Sequence, residues 1–151
     1  MDMKKIVNLL VMVLISMGAA AQSGHDPDLV MPRFPGGTDA LAKYLSAVIQ
    51  FPEQAMQYSL GGKVLVSFIV NEDGTLRDIT PQEYSIEYYN PASFAGESEN
   101  DQSALKLQVA QLFVDEAVRT VKNMPPWMPG SLRGRYVGVR YTLPITFTIP
   151  E

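Results

Sequence analysis

Cysteine is absent from the 151 residues, histidine occurs once, as His25, and tryptophan once, as Trp127. Without cysteine there is no disulfide framework, no thiolate nucleophile and no thiolate metal site, and folding is indifferent to redox compartment. The single histidine lies in a polar leader, so Ser-His-Asp and Cys-His relays lack their base, and an enzyme is not expected. Positive charge is scarce as well: 12 Lys and Arg face 16 Asp and Glu, for a net −4. That balance suits no phosphate backbone and speaks against nucleic-acid binding. Long apolar runs are missing too, since Ile6 to Ala21 is the longest and stops short of the roughly 20 residues that span a bilayer.

What is present at the N-terminus is an address. Lys4 and Lys5 precede the apolar run, and Ala19-Ala20-Ala21 before Gln22 supplies small residues for cleavage. Residues 1–21 therefore read as a secretory signal peptide, with a periplasmic destination and membrane association only if the segment is retained. Residues 22–33 read as a flexible leader, and 34–151 as one domain.

Inside that domain the period of the apolar residues changes twice. Leu41, Tyr44, Leu45 and Val48 follow Thr38, a candidate cap, at helical spacing, and Pro52 opens a second short helix to Tyr58. From Lys63, Val64, Val66, Phe68 and Val70 alternate with their neighbours as a strand does. Asn71-Glu-Asp-Gly74 turns the chain, and Thr75 to Thr80 returns until Pro81 is expected to end the pairing. Residues 82–102 carry Glu83, Glu87, Glu97, Glu99 and Asp101 with no basic residue, which reads as an acidic surface insertion. Ser103 onward is helical as far as Met124-Pro-Pro126.

The last stretch, Tyr136 to Ile149, alternates most cleanly, with Val137, Val139, Tyr141, Leu143, Ile145, Phe147 and Ile149 on one face. Pro144 cannot donate to a ladder, so this strand is expected at an edge of its sheet. Chemistry-bearing clusters are sparse elsewhere. Glu97-Ser-Glu99-Asn-Asp101 lacks the glycine turn and distal glutamate of a calcium loop, and no metal or cofactor is expected. Gly36-Gly37 and Gly61-Gly62 lack a following Lys-Ser or Lys-Thr and read as helix punctuation. Trp127, held between prolines, has two readings, a stacking platform for a ligand and a core anchor, of which the anchor is commoner. Arg133, Arg135 and Arg140 are either a solvated face or an attraction for an acidic partner segment.

Phe34-Pro-Gly-Gly37, Phe51-Pro-Glu-Gln-Ala55, Gly62 to Gly74, Glu116-Ala-Val-Arg119, Pro126-Trp-Met-Pro-Gly130 and Val139 to Phe147 occur in an order that resembles the TonB C-terminal domain family. The resemblance implies an α+β fold: a three-stranded antiparallel sheet with helices packed on one face. It also implies an exported, non-enzymatic peptide-binding module that captures the TonB box of an outer-membrane transporter as an added strand. On that reading the pairing residues are Val137, Gly138, Val139, Arg140, Tyr141 and Thr142, with Arg133 and Arg135 beside them. A homodimeric scaffold built on the same edge, or a soluble competitor of an anchored transducer, are the alternatives. Gln22 to Phe34 stretches to at most about 45 Å, short of the proline-rich spacer of the full-length transducer.

Overall fold

The computed structural model describes residues 27–149, so the expected signal peptide, the first part of the leader and His25 lie outside the described residues. In chain order the elements are β1 (Leu29–Val30), α1 (Thr38–Val48), α2 (Glu53–Gln57), β2 (Gly61–Val70) and β3 (Leu76–Tyr88). A 3-10 turn (Pro91–Phe94), α3 (Glu99–Lys122), β4 (Gly130–Leu132), β5 (Arg135–Val137) and β6 (Val139–Phe147) follow. The fold is α+β, with two three-stranded antiparallel sheets, β3-β2-β6 and β1-β4-β5.

The larger sheet is organised by β2. Val64, Val66, Phe68 and Val70 are fully buried, and opposite them on β6 stand Ile145, Leu143, Tyr141 and Val139, with Phe147 opposite Gly62. This shared face meets Val109, Phe113, Ala117 and Val121, spaced by four along α3, and Leu41 and Leu45 of α1. Phe113 stacks on Phe147 with centroids 4.4 Å apart, and Phe51 meets both rings edge-on at 5.7 and 6.1 Å. Gly62 allows this contact, because a Cβ there would strike the Ser85 carbonyl and press on the Phe113 ring.

Five expectations need correction. Pro81 does not end the hairpin: it sits opposite Val66, and β3 continues to Tyr88 through irregularities in register. A proline is tolerated where its nitrogen faces away from the partner strand, and β3 is an edge. Residues 82–102 are accordingly the second half of β3, the 3-10 turn and the first turn of α3, which starts at Glu99 rather than Ser103. There the Ser98 hydroxyl accepts from the Asp101 N–H at 3.2 Å.

The described part of the leader belongs to the fold. Leu29 and Val30 pair with Leu132 and Ser131, and Arg33 exchanges backbone hydrogen bonds with Met128 at 3.0 and 2.8 Å. The C-terminal strand is not continuous either: β5 pairs with β4, β6 pairs with β2, and Gly138 separates them. Finally, α1 is capped by Gly37, with no side-chain hydrogen bond, rather than by Thr38.

The Asn71–Gly74 turn is docked as well as closed. Gly74, at φ 87°, donates to the Asn71 carbonyl at 2.9 Å and accepts the Trp127 N–H at 2.8 Å. The Thr75 hydroxyl and N–H both donate to Asp73, which holds that exposed carboxyl below its ordinary range. A Cβ at Gly74 would collide with the Trp127 carbonyl, whereas Gly134, at φ 78°, has nothing near its Cβ position. Gly134→Ala should therefore cost only the left-handed backbone penalty, about 1–2 kcal/mol. Gly74→Ala should cost about 2 kcal/mol more, because the hairpin must lift from Trp127. Denaturant unfolding of the two variants measures the difference.

Candidate functional site

Within the larger sheet β2 has a strand on each side, while β6 pairs with β2 alone among the described residues. Nine consecutive β6 residues, Val139 to Phe147, run opposite Val70 to Gly62 without a break in register. The second edge of β6 therefore presents backbone groups that this sheet does not use. Which residues supply them follows from Pro144. It stands opposite Leu65 inside the ladder and has no N–H, so its place is one that turns its nitrogen away from β2. Strand alternation then turns the N–H and C=O of Arg140, Thr142 and Thr146 the same way, outward.

The expected site residues are only partly brought together. Val139, Arg140, Tyr141 and Thr142 lie consecutively on β6, opposite Val70, Ile69, Phe68 and Ser67. Val137 is on β5, already paired with Gly130, and Gly138 lies between the two strands. Arg133 and Arg135 belong to the β4–β5 hairpin, where Arg133 and Gly134 form the two-residue turn, with φ 51° and 78°. Arg133 stands 3.6 Å from the Asp28 carboxylate, both side chains exposed. The Arg140 guanidinium donates to Ser67 Oγ at 3.0 Å across the sheet. The three arginines are thus divided between the β4–β5 hairpin and β6. Leu132-Arg-Gly-Arg135 carried the signal for this hairpin, since a two-residue turn ending in glycine favours positive φ at both positions.

Trp127 resolves as a core anchor. It is 3% exposed and meets Phe34, Phe68 and Tyr141 edge-on, with centroids 5.8, 5.3 and 4.9 Å away. Tyr141 ties this cluster to the edge strand, its ring also lying 5.6 Å from Phe68. The acidic run contributes to helix geometry, with the Ser98 hydroxyl donating to the Asp101 carboxylate at 2.6 Å. No group of three His, Cys, Asp or Glu side chains able to hold a metal occurs among the described residues, and none of their helices is long and apolar enough to cross a membrane.

Protein-family models, curated proteins and solved structures were each compared with this chain. None matches. The geometry of the edge is therefore the ground on which a function is read.

Burial pushes the Tyr141 hydroxyl above the ordinary tyrosine range. The folded protein then holds that proton more tightly than the unfolded chain does. The contribution is intact below about pH 10 and is lost as pH rises above it. Stability measured by denaturant unfolding should fall less steeply above pH 10 in Tyr141→Phe than in the parent. The remaining decline belongs in part to Tyr44, whose hydroxyl is raised by burial too.

Proposed function

We propose that the protein is an exported, non-enzymatic peptide-binding module of the TonB C-terminal type, which takes an extended segment of an outer-membrane transporter as a fourth strand beside β6. The observation that carries this reading is the second edge of β6, which no other strand pairs among the described residues, in a sheet whose order is β3-β2-β6. Support comes also from the series of motifs running from Phe34 to Phe147, of which Gly62 to Gly74 falls on β2 and its turn and Val139 to Phe147 on β6, while Phe51 to Ala55 and Glu116 to Arg119 fall on α2 and α3.

Strand addition needs outward N–H and C=O groups at a spacing of two residues, and Arg140 and Thr142 supply both. Pro144 supplies a carbonyl only, so a visiting strand pairs best over Val139 to Leu143. Four ladder bonds at about 1 kcal/mol net each offset an association cost of several kcal/mol, which places the affinity in the micromolar range. Such a contact forms and breaks readily. It suits capture of a transporter segment for transport rather than permanent assembly.

Titrating a TonB-box peptide while recording backbone amide resonances should move Arg140 and Thr142 first. No movement there at millimolar peptide overturns the reading. Thr142→Pro removes one outward donor without touching the β2 ladder, so it should weaken peptide binding about tenfold or more with little change in melting temperature. A concentration-dependent doubling of mass by light scattering, with peptide excluded, would instead assign the edge to a second copy of the chain.

A further inference from the structure

The small sheet turns an apolar row outward, where a solvent-facing sheet is ordinarily polar. Val30, Ser131 and Tyr136 stand side by side across β1, β4 and β5, so their side chains share one face. The two outer members of that row are well exposed, Tyr136 at 66% and Val30 at 54%. Strand alternation sends the next row, Leu29, Leu132 and Arg135, to the opposite face. Gly130 shares that opposite face, and a Cβ on it would strike Val139 of β6. The row of Val30 and Tyr136 therefore looks away from the larger sheet.

Positive charge gathers in the same sheet. Residues 27–33 and 128–137 hold Arg33, Arg133 and Arg135 with a single carboxylate, Asp28, in a chain whose net charge is −4. All three arginines are exposed. Asp28 stands 3.6 Å from Arg133 Nε, so the excess positive charge resides on Arg33 and Arg135. An acidic segment, the β2–β3 turn with Glu72 and Asp73, is fastened to Trp127 through Gly74. Trp127 precedes β4, whereas Arg133 follows it, so that acidic turn lies at the other end of the strand from the Arg133–Gly134 turn.

The place of this sheet in the chain says which anionic surface it meets. Ile6 to Ala21, the longest apolar run, ends eight residues before Leu29, a reach of at most about 28 Å. On the signal-peptide reading a membrane receives that run, and β1 is the first described element to stand beside the bilayer. An exposed tyrosine with an apolar neighbour, rimmed by arginines, matches the headgroup level of a bilayer, where the ring enters the acyl boundary and guanidinium groups meet phosphates. The attraction acts over a Debye length of about 8 Å, so Arg135 contributes from the outer strand without sharing the face of Tyr136.

We propose that the small sheet docks on a phospholipid bilayer bearing anionic headgroups, with Tyr136 and Val30 entering the interface and the arginines drawn to lipid phosphates. β5 runs into β6 through Gly138, so docking sets the start of β6 near the bilayer. The docking does not rest on strand addition.

The test uses the chain from Gln22 onward, which holds every described residue and lacks the apolar run. It is sedimented with vesicles of phosphatidylethanolamine containing about 30% phosphatidylglycerol, and separately with phosphatidylcholine vesicles. Binding to the anionic vesicles should exceed binding to the neutral ones about tenfold and fall at high salt. Tyr136→Ser should weaken it about fivefold, and Arg133→Gln combined with Arg135→Gln about tenfold, with little change in melting temperature. Leu107→Ser, at a position on α3 that is 61% exposed, should leave binding unchanged.

No sedimentation with anionic vesicles, equal binding to both kinds, or an equal loss in Leu107→Ser overturns the proposal. Binding of soluble polyglutamate without binding of vesicles overturns it too, since the arginines would then serve an acidic polymer. If vesicles bind while peptide leaves the Arg140 and Thr142 amides unmoved, docking stands and strand addition fails. The reverse result leaves strand addition standing and removes the docking.

Discussion

A three-stranded sheet satisfies the backbone of one strand on both sides and leaves two strands half satisfied, and the rest of this structure depends on β2 taking the central place. Its side chains explain why. Val64, Val66, Phe68 and Val70 are fully buried on the helix side, and Ser67 is buried on the other. A strand so enclosed cannot hold a proline without losing a ladder bond, and both prolines of the sheet lie in its neighbours, Pro81 in β3 and Pro144 in β6. The two prolines therefore report the same thing independently: the outer edges of β3 and β6 face away from the ladder.

Trp127 is the joint between this sheet and everything that crosses its end. Its N–H is held by the Gly74 carbonyl, so the β2–β3 turn is fastened to it, and its ring rests among Phe34, Phe68 and Tyr141. The next residue, Met128, bonds Arg33 in both directions and brings the segment before α1 alongside. Gly130 then packs so closely that a Cβ would meet Val139 and the Val30 carbonyl at 2.8 Å. The small sheet is thus fixed to the start of β6, and the positions of Arg33 and Tyr141 at one groove follow from a single anchored indole.

Periodicity was the part of the fold that could be read in advance, because alternation on β2 and β6 and the four-residue spacing of Val109, Phe113, Ala117 and Val121 each report a buried face directly. What it missed are features whose cause is not periodic. Pro81 reads as a terminator until the strand is known to be an edge, where a missing N–H costs nothing. Val137 and Val139 share a phase across Gly138, so alternation alone cannot reveal that the partner strand changes between them. Leu29-Val30 is too short to carry a pattern, and its pairing depends on β4, a hundred residues later. The place of Val139 to Thr142 on an outer strand was legible from the alternation and Pro144. The place of Arg33 beside Tyr141 was not, because it arises from the backbone bridge to Met128.

On the strand-addition reading, the break at Gly138 also limits how far a visiting strand can extend. Toward the C-terminus, Pro144 offers a carbonyl but no donor, and toward the N-terminus the chain leaves the larger sheet to pair with β4. Between these limits lie Val139 to Leu143, a span of about 17 Å. A ladder this short cannot discriminate partners by backbone alone, since every extended segment offers the same N–H and C=O groups. Discrimination has to come from side chains on one face or the other. The outward face offers Arg140, already engaged with Ser67, while the helix-covered face offers Tyr141, packed on Phe68 and Trp127. Selectivity on this edge is therefore expected from a charge on one face, Arg140, and an aromatic ring on the other, Tyr141.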